Sequence, residues 1–481
     1  MRGVVRPDAP LLPEGLVAVV KRDCPTCELV APVLADLHDR AGLRVITQDD
    51  PHFPADADWV HHDHDLALSW HHNIETVPTL LRVSGGVGEQ RTVGWSRTEW
   101  ERLAGVDGLG DGLGDWRPGC GSLSVDPAHA DELAVRFSGL RSRRVELAAR
   151  EDEWEAMWDR GWSDGLPVVP PTESRVLRML EGTSRDPAEV VAVVPPGLVE
   201  CTVEKAAVNA VMAGCAPEYL PVVIAALEAA CTDEFNMHGV LATTMSVGPV
   251  LVVNGPVAEL IGMNRGLNAL GQGNRANSTI GRAVQLVVRN VGGGHPGGID
   301  RATFGSPAKV GFCFAESSSP WTSLSQSRGW PADQSTVTVF AGESPRIFAD
   351  ERSRTPESLT RHLAQALLAT VSPRMMMAMD AMLVLSPEHM ARYADAGWSR
   401  DRFMEELSAE LLCDADELLA GVKGIAAGLP AAAAGRKVPK FRPGGLLVVH
   451  AGGAAGLFSA IIGGWANGPR GSNPVTREIM T

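Results

Sequence analysis

The amino-acid sequence predicts an α/β protein with more than one domain. Short runs of apolar and β-branched residues alternate with stretches of helical periodicity along most of the chain. The 481 residues correspond to roughly three domains at about 150 residues each, and the hydrophobic content of 44% is ample for large cores. A Cys-x-x-Cys motif, formed by Cys24 and Cys27, lies between the first apolar run and the first helical stretch.

The N-terminal elements are predicted to form one α/β domain over residues 1–104. An apolar strand at residues 16–20 leads to the two cysteines, and a helix at residues 28–41 follows and ends at Gly42. The next predicted elements are a strand at residues 43–47, a short helix at 65–74 and a strand at 79–83.

Cys24 is expected to be the attacking sulfur of this domain. At a helix N-terminus its sulfur meets unpaired backbone N–H groups and the positive end of the helix dipole, which favour the thiolate. Cys27, one turn further along, is then the resolving thiol. A zinc site would need a second pair of ligands, and the sequence contains no second Cys-x-x-Cys. The spacing therefore favours a redox dithiol.

Two motifs in this domain match a known family. The Cys-Pro-Thr-Cys motif that begins at Cys24 and the Thr-Val-Pro-Thr loop around Pro78 resemble the active site and the proline loop of the thioredoxin family. The resemblance covers residues 14–104 and implies a thioredoxin-like fold, a redox-active disulfide and a cis-proline at Pro78 facing the dithiol. The Pro-Thr dipeptide departs from the Gly-Pro of thioredoxin itself, so the reduction potential is not carried over.

Composition and charge restrict partners and location. The formal net charge of −15 argues against nucleic acid or an anionic membrane as a partner. The sequence has no signal-peptide-like apolar region and no run of about 18 apolar residues, so we expect a cytoplasmic protein. Scattered single cysteines fit a reducing compartment. They are Cys120, Cys201, Cys215, Cys231, Cys313 and Cys413.

Two stretches near the dithiol lack regular periodicity. Residues 52–72 hold six of the thirteen histidines among several aspartates, which indicates a solvated polar loop, with a bound metal ion as the alternative. Residues 105–121 contain seven glycines and, with the charged helical stretch that runs to residue 160, are predicted to form a linker. Its Cys120 is either an incidental exposed cysteine or a third redox partner.

A larger layered α/β domain, expected to be the catalytic one, is predicted over residues 161–481, because helices alternate there with short β-branched strands. Residues 356–425 read as successive helices rich in Met and Ala, whose methionines form a core face. The other predicted helices are at residues 172–180, 203–213, 220–230 and 278–290, and the predicted strands are at 190–194, 250–253, 308–314, 336–340 and 446–450.

Glycine-rich loops and a dense group of amides and guanidinium groups predict an anion site in this domain. Residues 271–278 lead into a helix N-terminus, a geometry that attracts a carboxylate or phosphate. Plain Asn-Gly turns are the alternative. The stretch after residue 450 has Ala451 in place of the first fingerprint glycine, which argues against a dinucleotide fold. The predicted substrate-binding residues are Pro78, Asn209, Asn264, Arg265, Asn274, Arg275, Asn277, Arg282, Gly452 and Gly453.

A second resemblance covers residues from about 161 to the C-terminus. The matching stretches are residues 164–167, 170–172, 202–215, 274–282, 312–316 and 319–321. They are similar to a family of largely uncharacterised bacterial proteins associated with UGSC-type proteins that contain selenocysteine or cysteine. The family implies a site without naming a substrate. Cys215 and Cys313 belong to its pattern, whereas Cys201 does not.

The fusion predicts a thiol-dependent enzyme that acts on a small anionic metabolite. A tethered dithiol has a high effective concentration at its neighbour, so it would supply electrons or sulfur to Cys215 or Cys313 and be recharged by a thiol reductant system. His238 or Glu204 would be the proton donor. The alternative is a non-redox lyase or hydrolase, with or without a metal ion, that uses Lys205, Glu204 and His238. A non-enzymatic scaffold and a homo-oligomer are left open.

Overall fold

The protein is described by a computed structural model that covers residues 9–306, 309–420 and 433–480. It consists of two compact units, Met1–Arg141 (unit 1) and Ser142–Thr481 (unit 2), both of mixed α/β structure as predicted. This division differs from the predicted boundaries at residues 104 and 160, because the stretch up to residue 141 belongs to unit 1. In the described ranges, no helix is both long and apolar enough to cross a membrane.

Unit 1 is built around a five-stranded mixed sheet. The strands of unit 1 are β1 (Gly15–Val20), β2 (Arg44–Thr47), β3 (Val60–His62), β4 (Thr76–Val77), β5 (Thr79–Ser84), β6 (Val87–Val93), β7 (Trp95–Ser96), β8 (Trp116–Arg117) and β9 (Cys120–Gly121). The helices of unit 1 are α1 (Pro25–Ala41), α2 (Ala67–His71), α3 (Arg97–Ala104) and α4 (Pro127–Arg136). Five of the strands form the sheet. The strand order is β3-β2-β1-β5-β6. Strand β1 is parallel to β2 and antiparallel to β5, so the dithiol follows the central strand.

Helix α1 has clear start and stop signals. Cys24 is its N-cap, Pro25 occupies the first helical position, and Gly42 ends it in the left-handed region at φ 67°. The apolar side chains of one face, including Val30 and Leu34, are fully buried against the sheet. The predicted helix and its stop at Gly42 are confirmed, although the helix begins three residues earlier than the pattern indicated.

The glycine-rich stretch at residues 105–121 is ordered against unit 1, which corrects the prediction of an irregular linker. Strand β8 pairs with β7, and β9 pairs with β4. The Trp95 indole donates to the Gly114 carbonyl at 2.6 Å, and the Arg97 guanidinium donates to the Leu113 carbonyl at 2.6 Å. Anchors from outside the stretch therefore hold residues that carry few apolar side chains of their own.

Unit 2 contains a larger mixed sheet flanked by helices. Its strands are β10 (Val190–Val194), β11 (Val199–Thr202), β12 (Gly248–Asn254), β13 (Phe312–Ala315), β14 (Thr336–Gly342), β15 (Arg346–Ala349), β16 (Met379–Leu385), β17 (Leu412–Asp414), β18 (Lys437–Pro439), β19 (Leu446–His450), β20 (Phe458–Ala466) and β21 (Val475–Glu478). Its helices are α5 (Glu153–Asp159), α6 (Glu173–Leu180), α7 (Val203–Ala213), α8 (Leu220–Ala230), α9 (Met237–Ala242), α10 (Pro256–Leu260), α11 (Arg275–Asn290), α12 (Leu324–Ser327), α13 (Pro356–Leu368), α14 (Pro387–Asp395), α15 (Arg400–Glu410) and α16 (Ala415–Leu419).

Six strands of unit 2, in the order β13-β12-β14-β20-β16-β19, enclose a shared core. Alternate residues of these strands, such as Val250, Phe314 and Met382, belong to one buried cluster, as the period of two in a strand requires. The first and last strands of the series approach each other at one end, where the Ser317 N–H donates to the His450 carbonyl at 2.7 Å. The outward side chains of β16 and β19 pack with α13 and α15 in a second cluster.

The prediction of successive helices over residues 356–425 is wrong in its middle part. Residues 379–385 form β16, which lies between β19 and β20 and is buried on both faces. A short continuous apolar run cannot be assigned to helix or strand by periodicity alone, and here strand pairing decides. Met382 is buried as predicted, whereas Met375 and Met377 are exposed. Residues 421–425 lie outside the described residues.

Candidate redox site

The sulfur of Cys24 lies at the N-terminus of α1 and faces the turn between β4 and β5. Cys24 Sγ accepts the Cys27 N–H at 3.3 Å, and in its protonated form it donates to the Val77 carbonyl at 3.6 Å. The Val77–Pro78 peptide bond is cis, as the family resemblance implied. Extended backbone at Cys24 followed by Pro25 brings the sulfur back over the first helical turn.

The two thiols of the motif have opposite pKa shifts. A hydrogen bond from the Cys27 side chain, acting against burial and together with a hydrogen bond from Cys120, lowers the pKa of Cys24 to about 5. Burial, followed by the hydrogen bond to Cys24, raises the pKa of Cys27 far above its ordinary value. At neutral pH the pair therefore consists of a Cys24 thiolate and a Cys27 thiol, the division of roles that thiol–disulfide exchange requires.

A third cysteine, Cys120, lies beside the dithiol. In the β4–β9 pair Cys120 stands opposite Val77, and the Cys120 side chain is close enough to Cys24 to lower its pKa. The Thr26 hydroxyl donates to the Pro118 carbonyl at 2.7 Å, which fixes the same segment to the first turn of α1. Burial, then the hydrogen bond to Cys24, raises the pKa of Cys120.

The segment at residues 116–121, which we call the strap, covers the dithiol. Cys24 is 1% exposed and Cys27 is fully buried, whereas Cys120 is partly exposed. The strap approaches the proline loop so closely that a Cβ on Gly119 would lie 2.7 Å from the Val77 carbonyl oxygen. Glycine is therefore required at this position for the strap to lie as it does.

Cys215 and Cys313, the cysteines predicted to be reactive thiols of the second domain, both lie in the interior of unit 2. Both are buried, with exposed fractions of 5% and 4%. Burial raises the pKa of Cys215 to about 12 and raises that of Cys313 further. Thiols so strongly protonated behave as small apolar side chains at neutral pH.

The three predicted acid–base residues of unit 2 have separate structural surroundings. Lys205 Nζ donates to the Glu200 carbonyl at 2.8 Å. Glu204 is buried and accepts the Ser142 N–H at 2.7 Å. His238 is exposed at the start of α9. The contacts of Lys205 and Glu204 hold the start of α7 to the chain that precedes it, whereas His238 lies on a different helix.

The amides and guanidinium groups of the predicted anion site bind backbone and side-chain groups of the protein itself. Arg275 donates to the carbonyls of Gly214 and Cys215, and Arg282 forms a bidentate pair with Asp164. Their donors are thus occupied by neighbouring loops, which favours the alternative of structural turns. The remaining predicted residues have the following partners: Asn209 with Asn290, Asn264 with Leu267 and Asn277, Asn274 with Gly262, Asn277 with Ala269, Arg265 with Glu259, Gly452 N–H with the Arg265 carbonyl, and Gly453 against Leu267.

The histidine-rich stretch of unit 1 has structural contacts. His72 is buried and bonds the Pro10 carbonyl at 2.8 Å, while the Asp63 carboxylate accepts the N–H groups of Leu68 and Ser69. Over residues 9–306, 309–420 and 433–480, no group of three or more His, Cys, Asp or Glu side chains is arranged to hold a metal ion.

A pocket in unit 2 holds a pair of residues that the sequence did not single out. Asp350 and His362 line a pocket of about 630 Å³ that is open to solvent, with His362 Nδ1 2.7 Å from an Asp350 carboxylate oxygen that also accepts the Ser353 hydroxyl. Burial opposes ionisation of Asp350, but the hydrogen bonds from Ser353 and His362 outweigh it and lower its pKa well below the ordinary value. Asp350 follows β15 and His362 lies on α13, so only the fold brings them together.

A buried carboxyl group lies where the sheet of unit 2 closes. Glu316, directly after β13, accepts the Asn254 amide at 2.6 Å and the Leu324 N–H at 2.7 Å. Burial raises the pKa of Glu316 in spite of these bonds. Glu316 thus joins the ends of two parallel strands, β12 and β13, to the start of α12.

No protein-family model, curated protein or solved structure was found to match the chain. The geometry of the chain's own residues is therefore the basis on which its chemistry is inferred. Among the described residues, the surroundings of Cys24 combine a low pKa, a neighbouring protonated thiol and a helix N-terminus in one place.

Proposed function

We propose that the protein is a thiol–disulfide oxidoreductase whose unit 1 is a thioredoxin-like domain. The observation that carries the proposal is the Cys24 sulfur, which accepts the Cys27 N–H at 3.3 Å and has its pKa lowered to about 5 beside the protonated Cys27 thiol. Low-pKa thiols at helix N-termini are the attacking groups of disulfide exchange.

The topology of unit 1 supports the thioredoxin-like assignment. A β1-α1-β2 unit and the antiparallel hairpin of β5 and β6 share one sheet, with the Cys-x-x-Cys motif at the start of the first helix. The cis bond before Pro78 lies next to the dithiol, since the Val77 carbonyl accepts from Cys24. This combination matches the two motifs on which the resemblance was based.

The proposed reaction is a two-electron exchange. The Cys24 thiolate attacks one sulfur of a substrate disulfide, forms a mixed disulfide and releases the other sulfur as a thiolate that takes up a proton. A second protein thiol then loses its proton and attacks Cys24 Sγ, which releases the remaining substrate thiol. The substrate gains two electrons and two protons, and the protein is left with one disulfide. A thiol reductant restores the dithiol.

The recipient of these electrons is proposed to be a bound substrate or partner disulfide, and not Cys215 or Cys313. Burial raises the pKa of both of those thiols, whereas the pKa of Cys24 is lowered, so neither is as ready a nucleophile as Cys24. If unit 1 supplies sulfur or electrons to unit 2, the acceptor would then be a ligand bound to unit 2, and not one of the described cysteines of that unit.

A reaction with oxidised glutathione tests this function. The reduced full-length protein is freed of reductant and mixed with excess oxidised glutathione at neutral pH, and the release of glutathione is measured. We expect the wild type to release two glutathione molecules per protein through this site. Cys24→Ser should lack this release. Cys413→Ser, which removes a half-buried cysteine of unit 2, is the matched control and should behave as wild type. Equal release by wild type and Cys24→Ser would contradict the proposal.

A second candidate function, proton transfer in a non-redox hydrolase or lyase, is favoured by the Asp350–His362 pair. Asp350 holds His362 Nδ1 at 2.7 Å and leaves Nε2 for a substrate proton, in a pocket of about 630 Å³. Hydrolysis of a panel of small nitrophenyl esters by the full-length protein tests it. We expect the rate to fall about 100-fold in His362→Gln. Equal rates in wild type and variant would exclude this candidate.

A further inference from the structure

Three thiols, not two, meet at the N-terminus of α1. The Cys-x-x-Cys motif supplies Cys24 and Cys27 from one helical turn, while Cys120 comes from β9, far along the chain. The register of the β4–β9 pair sets Cys120 opposite Val77, and the Val77 carbonyl is itself in contact with Cys24 Sγ at 3.6 Å. Cys120 and Cys24 are also close enough that each shifts the pKa of the other.

The position of Cys120 is built into the strap. The Thr26 hydroxyl, between the two motif cysteines, holds the Pro118 carbonyl at 2.7 Å, and Gly119 permits a close approach to the proline loop. Gly121 continues the pairing with Thr76 on the other side of the cysteine. Cys120 is thus held from both sides against Cys24, which distinguishes it from a cysteine that happens to lie on a mobile loop.

The two neighbours of Cys24 differ in their surroundings. Cys27 is fully buried beneath the attacking sulfur, whereas Cys120 is partly exposed on the strap that covers it. Both neighbours lower the pKa of Cys24, so both stabilise its thiolate.

We propose that Cys120 is a second resolving thiol, which competes with Cys27 for the mixed disulfide on Cys24. The inference rests on the proposed disulfide exchange. Cys24 first carries the substrate sulfur as a mixed disulfide. Cys120 loses its proton and attacks Cys24 Sγ, a Cys24–Cys120 disulfide forms, and the substrate sulfur leaves as a thiolate that takes up the proton. The electron balance is that of the Cys24–Cys27 route.

The consequence is that removal of Cys27 alone does not trap the mixed disulfide. The test uses three full-length variants: Cys27→Ser, Cys27→Ser/Cys120→Ser, and Cys27→Ser/Cys413→Ser as the matched control. Each is reduced, treated with oxidised glutathione, quenched in acid and analysed by intact mass and peptide mapping. We expect Cys27→Ser and the control to lose the glutathione adduct and to yield a Cys24–Cys120 disulfide peptide. The double variant without Cys120 should retain glutathione on Cys24.

Two results would overturn the inference, and they differ in what they say about the proposed function. A glutathione adduct on Cys24 that is as abundant in Cys27→Ser as in Cys27→Ser/Cys120→Ser leaves disulfide exchange intact and excludes Cys120 as a resolving thiol. Absence of both adduct and disulfide at Cys24 in every variant overturns the proposed function as well. The Cys24–Cys120 disulfide peptide is detected in Cys27→Ser, in which Cys120 is unaltered. The test therefore does not depend on folding of the Cys120 variant.

Discussion

At Cys24, hydrogen bonds and the helix N-terminus act on one sulfur atom. The Cys27 side chain and the Cys120 side chain both donate to it, and the Cys27 N–H lies 3.3 Å away. Each interaction favours the thiolate, and together they outweigh the burial that opposes it. The reactivity of the site is therefore a property of a few local contacts.

The pH dependence of alkylation tests this balance. Because the pKa of Cys24 is lowered to about 5, its thiolate persists down to that pH, whereas an ordinary thiol loses reactivity below about pH 8.5. We expect the rate of Cys24 carbamidomethylation by iodoacetamide, followed by peptide mapping, to reach half of its plateau near pH 5. Half-maximal reactivity between pH 8 and pH 9 would show that the contacts do not stabilise the thiolate.

The sequence predicted the place of Cys24 at a helix N-terminus, and it did not reveal the partners of the polar residues of unit 2. Cys24 is identifiable from the sequence because its environment follows from three adjacent signals: a strand, a proline and a helix start. Arg275 and Arg282 have the composition of an anion site, but composition does not reveal that the Gly214 carbonyl and the Asp164 carboxylate occupy their donors. Such partners are distant in sequence, and only the fold identifies them.

The strap lies beside the dithiol and is attached to the rest of unit 1 by short strand pairs and a side-chain hydrogen bond. Its two-residue strands pair with β4 and β7, and its contact with α1 is the bond from Thr26 to the Pro118 carbonyl at 2.7 Å. Short strand pairs contribute little cooperativity, so individual side-chain anchors have a large effect on their opening.

Replacement of the Thr26 hydroxyl should loosen the strap. Thr26→Val removes a hydrogen bond of about 1 kcal/mol and so increases the open population roughly fivefold. The measurement is hydrogen exchange of the peptide that spans residues 116–121, read by mass spectrometry. Thr26→Ser keeps the hydroxyl and is the matched control. Identical exchange in Thr26→Val and Thr26→Ser would show that this bond does not hold the strap.

The prediction for this segment was wrong because it was based on glycine content and did not include the residues outside the segment that hold it. Residues 105–121 carry seven glycines and were predicted to be a linker, yet Trp95 and Arg97 bind their backbone carbonyls. The positive φ values of Gly108, Gly110 and Gly112 show that these residues serve turns that other residues adopt rarely. A flexible linker and an ordered segment with left-handed turns are therefore both rich in glycine, and composition alone does not distinguish them.

The whole molecule combines a small dithiol unit with a larger unit whose sheet curls around a buried core. Individual strands such as β12, β14 and β19 were predicted from apolar runs, but their order was not. Strand β20 was missed altogether, although it pairs with β14, β15 and β16. The sequence of β20 contains adjacent glycines, which lower its strand propensity. Glycine is needed at these positions because neighbouring backbones approach closely.

Those glycines permit the middle of the sheet to form. Strands β14 and β20 meet through Gly342 and Gly464, and a Cβ on Gly464 would lie 2.6 Å from the Asp380 carbonyl oxygen. We expect Gly464→Ala to lower the free energy of unfolding of unit 2 by about 1–3 kcal/mol. Gly266→Ala is the matched control, since its added methyl group has only an ordinary contact at 3.8 Å.

Thermal unfolding of the two variants, followed by circular dichroism, measures this difference. A midpoint for Gly464→Ala below that of Gly266→Ala is expected, because backbone atoms of a central strand cannot move aside as a flexible side chain would. Equal midpoints would mean that the sheet adjusts at this crossing without cost.

The most direct test of the redox site is an equilibrium titration of the full-length protein. The protein is equilibrated in dithiothreitol buffers of graded potential, free thiols are blocked with iodoacetamide, and the cysteine peptides are mapped. The predicted result is one reversible two-electron transition in which Cys24 enters a disulfide with Cys27 or Cys120, while Cys215 and Cys313 remain thiols. Alkylation of Cys24 to the same extent at every potential would contradict a redox role for this protein.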